Sequence, residues 1–210
     1  REGTLVPIRV PSFTVENTIT GYGWLVNYLE TWVSTGVWHP STSATTAWHM
    51  RRLFDAVADK TSDTPQAVDF QSHDFSFRGM ENWQAAAASS AGHLLSFLGS
   101  DTVPVVPWVR EYYSGADNGL IAASVPATEH AIMCLRGEEG EESTFQRLMD
   151  LFREGILSVV SDTWNLWRVL GIGGILDRNR DQILARNGKL VIRPDSGDPV
   201  DIICGTVTAT

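Results

Sequence analysis

The stretch LVIRPDSGDPV, residues 190–200, sets the reading of the fold. An apolar run ending at Ile192 gives way at once to Arg193, Asp195, Ser196, Gly197 and Asp198, the pattern of a buried strand that stops at charged and turn-forming residues. Parallel strands in α/β proteins are covered on both faces, so they read as continuous apolar runs, and their carboxyl ends face the substrate. Four other segments close in the same way: AVDFQSHD (67–74), LLSFLGSD (94–101), LIAASVP (120–126) and ILSVVSD (156–162). Helix-length stretches rich in Ala, Leu, Arg and Glu lie between them, which is the rhythm of repeated βα units. If the strands are neighbours in one parallel sheet or barrel, Asp74, Asp101, Ser124, Asp162 and Asp195 share a rim.

Composition narrows the function. A chain of 210 residues that is 43% hydrophobic can bury a substantial core, so it reads as globular, holding one large domain or one and a half. Its net charge of -9, with Lys60 and Lys189 as the only lysines, argues against a protein that grips nucleic-acid backbones. An anionic ligand must then be held locally, by Arg, helix ends or metal. Cys134 and Cys204 sit in no CxxC or His-rich setting, which suits a reduced, cytoplasmic protein. No apolar run is long enough to cross a bilayer, and no signal-like segment opens the chain. The first residue is Arg1 rather than Met, and a fragment is expected.

Residues 1–64 read as lead-in elements and part of a second domain, and residues 65–210 as the βα series. TLVPIRVPSFTVENT (4–18) alternates like edge strands broken by Pro7 and Pro11. Trp24, Leu25, Tyr28, Leu29 and Trp32 share a helical face expected to be core. A second helix is expected after Pro40, N-capped from the Ser/Thr run 41–46, with Trp48, Leu53, Phe54 and Val57 inward. Further helices are expected near 81–93, 103–113, 128–136, 143–153, 163–170 and 177–185. The acidic run Glu138, Glu139, Glu141 and Glu142 around Gly140 reads as a solvated connection.

Three constellations can carry chemistry. In HDFSFRG (73–79), a planar ring could stack on Phe75 while Arg78 holds a phosphate oxygen; two core aromatics and a salt-bridged Arg is the plainer alternative. In SVPATEH (124–130), His130 falls in a helix's first turn, where it could hold a phosphate or act as nucleophile, or could be structural. The carboxylates Asp101, Asp162 and Asp195, with Ser158 close by, could bind vicinal hydroxyls or Mg²⁺, or could each cap the following helix.

In their order along the chain, HDFSFRG, LGSDTV, SVPATEH, SVVSDT and LVIRPDSGDP, preceded by FTVENT, resemble the motifs of the nicotinamide phosphoribosyltransferases. The resemblance covers nearly the whole chain. It implies a type II phosphoribosyltransferase: an incomplete α/β barrel with a piece of a second α/β domain, homodimeric, with active sites shared between subunits. It implies that Phe75 stacks on the pyridine ring, that Asp101 accepts from the carboxamide, and that Ser158 and Arg193 lie beside the same nicotinamide. Arg78, His130 and Arg193 would bind diphosphate and phosphate. Asp162 and Asp195 would hold the ribose and, through diphosphate, Mg²⁺, with Asp74 and Ser124 elsewhere on the rim. His130 would also take a phosphoryl group from ATP. Ser100 stands where Thr is expected and Asn165 where an acidic residue is expected, and the family's later Gly-Asp and Gly-Gly segments lie outside these residues.

Transfer from 5-phosphoribosyl 1-diphosphate to a pyridine nitrogen needs no general base, because that nitrogen carries no proton. It does need charge stabilisation, for the growing anion on diphosphate and the cationic anomeric carbon. A carboxylate at Asp101 favours an amide over an acid. Three alternatives remain open: nicotinate phosphoribosyltransferase, a noncatalytic segment of such an enzyme, and a barrel lyase or aldolase. The absence of Lys at the five strand ends counts against a Schiff-base enzyme of the last kind.

Overall fold

The computed structural model of the chain describes residues 3–113 and 119–205. They fall into two compact units, Arg1–Ser124 and Val125–Thr210.

In the first unit, residues 3–22 run in turns and irregular exposed backbone, not in the expected edge strands. Pro7 and Pro11 lack the N–H that a ladder needs, and the chain turns instead through a bond from Val10 N to Pro7 O. One helix, α1 (Gly23–Thr61), then replaces the two expected, with Pro40 inside it. Proline withholds a single backbone donor. The Ser/Thr run that looked like a cap folds back into the helix: Thr42 Oγ1 donates to Trp38 O at 2.9 Å and Thr45 Oγ1 to Ser41 O at 2.7 Å.

The partner of α1 is α2 (Trp83–His93), which is capped by Asn82, whose side chain accepts from Ala85 N at 2.9 Å. Its buried residues are small apart from His93, and this lets the backbones approach closely. A Cβ on Gly92 would lie 2.5 Å from Pro40 O, while Ser43 Oγ donates to Ser89 O at 2.8 Å. Ala47, Ala58, Val68 and Phe97 form the small core beneath, with Phe54 against it. Trp24, Tyr28 and Trp32, expected to be inward, are exposed, because α2 meets α1 only from about Pro40 onward; Leu53 and Val57, also expected inward, lie on the exposed side of the later half.

Strands β1 (His73–Asp74) and β2 (Gly99–Ser100) pair in parallel, His73 with Gly99 and Asp74 with Ser100, and Ala123 bridges Gly99 on the far side of β2. The expected strands 67–74 and 94–101 are thus strands at their last residues alone. Pro65–Phe70 is a 3₁₀ turn, and residues 94–96 finish the turn that follows α2. Close pairing requires Gly99, since a Cβ there would meet Ser72 O at 2.5 Å and the His73 ring at 2.6 Å. Helix α3 (Val105–Tyr112) follows.

The second unit is organised by a longer parallel pair, β3 (Glu154–Val160) and β4 (Asn187–Arg193), in register from Glu154–Asn187 to Val160–Arg193. Ala127 bridges Ser158 on the other side of β3. Around the pair lie α4 (His130–Cys134), α5 (Glu141–Leu151), α6 (Leu166–Leu170), α7 (Ile175–Arg178), α8 (Arg180–Leu184) and α9 (Pro199–Cys204). Met133, Phe145, Met149, Leu157, Val159, Val160, Val169 and Ile175 make one buried cluster, so the second unit has its own core.

The acidic run is the expected solvated connection at Glu138 and Glu139, which are exposed in the turn before α5, but not at Glu141. Glu138 pairs with Arg168 at 2.6 Å, and Glu142 pairs with Arg178 at 2.7 Å and accepts from Asn179 at 2.8 Å. Glu141 is wholly buried, with neither carboxyl oxygen hydrogen-bonded. Its burial pushes the carboxyl up, against the pull of Arg168. Asn165, found where an acidic residue was expected, caps α6 by accepting from Arg168 N at 3.1 Å.

Candidate functional site

Polar residues gather at the strand ends of each unit. In the first unit, Asp74 closes β1 and serves the backbone around it: Oδ1 accepts from Ser76 N at 2.9 Å and Oδ2 from Thr102 Oγ1 at 2.8 Å. Burial alone would raise this carboxyl, but hydrogen bonds from Ser90, Ser76 and Thr102 outweigh it and hold it below the ordinary value. Asp74 therefore ties together the backbone and side chains at the end of β1. Its carbonyl accepts from Asp101 N at 2.9 Å, which brings Asp101 beside it.

The Asp101 carboxyl has two unlike oxygens. Oδ1 accepts from Ser124 Oγ. Oδ2 is buried, has no hydrogen-bond partner, and lies 3.7 Å from His73 Nδ1, beyond hydrogen-bond reach. The His73 ring stacks towards Phe75, with centroids 6.2 Å apart and planes 23° apart, and Phe75 is 54% exposed. Arg78 stands exposed in the 3₁₀ turn Ser76–Gly79 that follows. An exposed aromatic ring and a buried acceptor thus both lie near one imidazole. His73, Ser90 and Thr102 were not singled out from sequence, although the HDF and SDT strings contained two of them.

In the second unit the polar centre is Asp162, its side chain 6% exposed. Oδ1 lies 3.2 Å from His130 Nε2, and Oδ2 accepts from Asp195 N at 2.8 Å and Ser196 Oγ at 2.6 Å. Burial raises its carboxyl, but the bonds from Ser196, Asp195 and His130 together lower it. Asp195 is the more open carboxylate, 58% exposed and 3.9 Å from His130 Nδ1. Arg193 donates to Thr128 O, and Thr128 Oγ1 accepts from Val160 N at 3.0 Å, so the SVPATEH and RPDSG segments are tied together. Ser158 is buried in β3, its backbone bonded to Pro126 O and Thr128 N. Asp198 is a helix cap, accepting from Val200 N at 2.9 Å and Asp201 N at 3.1 Å at the start of α9.

Among the described residues, no group of three or more His, Cys, Asp or Glu side chains is placed to hold a metal. Both Asp162 oxygens already face protein donors. Of the two carboxylates expected to hold magnesium through a diphosphate, Asp162 and Asp195, Asp195 is the more exposed. No helix among the described residues is long and apolar enough to cross a membrane.

The nicotinamide phosphoribosyltransferase of Acinetobacter baylyi is 46% identical over 211 residues, covering 97% of this chain and 41% of that protein. That of Mycoplasma genitalium is 38% identical over 202 residues, 95% of this chain and 42% of its own length. For that of Xanthomonas campestris pv. campestris the figures are 36% over 207 residues, 96% and 43%. The chain therefore spans roughly two fifths of the length of the curated relatives it matches. A family model described as nicotinate phosphoribosyltransferase (NAPRTase) matches residues 70–209, a stretch that contains HDFSFRG, SVPATEH and RPDSG, and the chain belongs to that family.

Proposed function

We propose that the full-length protein is a nicotinamide phosphoribosyltransferase, a pentosyltransferase of NAD biosynthesis. It would convert nicotinamide and 5-phosphoribosyl 1-diphosphate into nicotinamide mononucleotide and diphosphate. The observation that carries this reading is the buried Oδ2 of Asp101, which has no hydrogen-bond partner, with the exposed Phe75 ring near the same His73. A carboxylate oxygen shut away from water without a donor is costly, about 1–3 kcal/mol or more, and an incoming amide N–H₂ relieves that cost. Nicotinic acid would set two acceptors against each other with no hydrogen between them. The names of the relatives agree.

In this reading Phe75 takes the pyridine ring, Asp101 the amide, and Arg78, Arg193 and His130 the phosphate oxygens. Ser158, expected to line the nicotinamide tunnel, is buried in β3 and keeps that role in this reading. The bond from the anomeric carbon to diphosphate breaks as the ring nitrogen forms its own. The exposed Asp195 carboxylate suits the cationic sugar and the cationic side chains suit the leaving group. Magnesium, when bound, would neutralise the diphosphate, with Asp195 its protein carboxylate. Asp162 orients His130 through Nε2, leaving Nδ1 to take a phosphoryl group from ATP, with ADP as the product. The parallel pairings β1–β2 and β3–β4 support an incomplete barrel. The same reading, by resemblance, takes residues 1–64 as part of a second domain, although the compact units divide at Ser124, and the whole protein as a cytoplasmic homodimer that shares its active sites.

The test compares nicotinamide with nicotinic acid in the full-length protein, before and after Asp101→Asn. The wild type is expected to prefer nicotinamide, and the substitution to lower kcat/KM for nicotinamide by about tenfold to a hundredfold, the worth of a charged hydrogen bond. The family's description favours a second reading, nicotinate phosphoribosyltransferase. A wild type that prefers nicotinic acid establishes that one instead.

A further inference from the structure

An aspartate can present either oxygen to a ligand, so its specificity depends on what fixes the carboxyl plane. The backbone of Asp101 is well held. Its N donates to Asp74 O at 2.9 Å, Thr102 N donates to Ser100 Oγ at 3.1 Å, and Ser100 Oγ lies 2.9 Å from Ser90 Oγ. None of these contacts reaches the carboxyl group. Among the described residues, the hydroxyl that does so is Ser124 Oγ, which donates to Oδ1 and leaves Oδ2 buried and open.

Ser124 is itself placed by the sheet. The preceding residue, Ala123, bridges Gly99; its carbonyl accepts from Ser100 N at 3.1 Å, and its N donates to Leu98 O at 2.7 Å. This sets position 124 beside the end of β2, within reach of Asp101. Without the hydroxyl Oδ1 loses that donor, and the carboxyl can rotate towards His73 Nδ1, now 3.7 Å from Oδ2. We propose that Ser124 is a positioning residue for Asp101: its hydrogen bond turns Oδ2 towards the substrate amide and so sets the preference for amide over acid. This rests on the nicotinamide reading above.

Such a residue acts on ring capture and leaves the bond-making step alone. In the full-length enzyme, Ser124→Ala is expected to raise KM for nicotinamide about tenfold and to lower the amide-to-acid ratio of kcat/KM by a similar factor, with kcat within about twofold. Ser124→Thr, which keeps the hydroxyl, is expected to stay near wild type. In an Asp101→Ala background, Ser124→Ala is expected to have no further effect on the ratio, because no carboxyl remains to be held. An unchanged KM and ratio in Ser124→Ala overturns the proposal, as does the same loss in the Asp101→Ala background. Ser124 is exposed, so loss of the fold is not expected, and Ser124→Thr with the melting temperature of each variant separates misfolding from mispositioning. A wild type that prefers nicotinic acid is a different result and removes the nicotinamide reading itself.

Discussion

Asp162 shows how one carboxylate can tie a polar cluster together. Its oxygens take His130 on one side and the 195–196 turn on the other, so Asp162→Asn weakens these bonds by removing the charge and must either lose one or turn His130 to the tautomer whose Nε2 accepts. The variant of the full-length protein is expected to lose about 1–3 kcal/mol, read as a lower denaturation midpoint, with faster proteolysis at the RPDSG turn. Because the folded carboxyl lies below its ordinary 3.8, its contribution is complete above that pH and is lost as pH falls further. His93 predicts an earlier acid effect. Its Nε2 lies 3.3 Å from Ser72 O and 3.1 Å from Gly99 O and donates to them, and burial, opposed by Asp74 and those carbonyls, holds the imidazole below 6.5. Protonation then favours the unfolded chain: stability is complete above 6.5 and declines as pH falls towards the depressed folded value. Thermal melts between about pH 7.5 and about pH 5 are expected to show that decline, and His93→Gln, which can donate without titrating, to flatten it. At this scale the sequence was legible where chemistry shows in residue type. Asp74, Asp101, Asp162 and Asp195 do stand at strand ends, but which of them props up the backbone and which stays open depends on partners such as Ser90, Thr102 and Ser196 that no spacing reveals.

At the scale of elements, the ends of strands were legible and their bodies were not. A run such as AVDFQ is apolar enough for a strand, yet Pro65 and the polar 69–72 stretch favour a 3₁₀ turn, and periodicity does not separate these over so few residues. Likewise Pro40 with six Ser and Thr-rich positions behind it looked like a stop and a restart, because sequence does not say that the hydroxyls will bond backwards within the helix. What fixes α1 against α2 is contact geometry. Gly92→Val places its first side-chain carbon 2.5 Å from Pro40 O and 3.1 Å from Ala44 N, both backbone atoms of a regular helix that cannot swing aside. Moving the helices apart would break the Ser43–Ser89 bond and loosen Phe54 from Phe97. A loss of about 1–3 kcal/mol is expected, measured by denaturant unfolding of the full-length protein. A smaller loss is expected for Gly92→Ala, and an unchanged midpoint in both would show that the helices are not held at that distance.

For the whole chain, charge and apolar surface pull in opposite directions. The net charge of -9 keeps copies apart, while the first half of α1 displays Trp24, Tyr28 and Trp32 at 64%, 61% and 70% exposure, on a helix of 39 residues whose buried side chains are Ala47 and Ala58. Those aromatics fall at i, i+4 and i+8, one continuous stripe, and stripes of this kind mark surfaces that need covering or lead to association. Sequence had placed them inside because amphipathic pattern reports that a face is apolar, not what lies against it. The 210-residue chain produced alone is therefore expected to self-associate at tens of micromolar, and more so as salt rises from about 0.05 M to about 0.5 M, which shortens the reach of its repulsion. Sedimentation velocity measures this directly. Trp24→Glu together with Trp32→Glu is expected to shift the chain towards monomer by removing apolar area and adding charge to the same face. A wild-type chain that stays monomeric across that range of salt would show that the stripe is covered from within the chain.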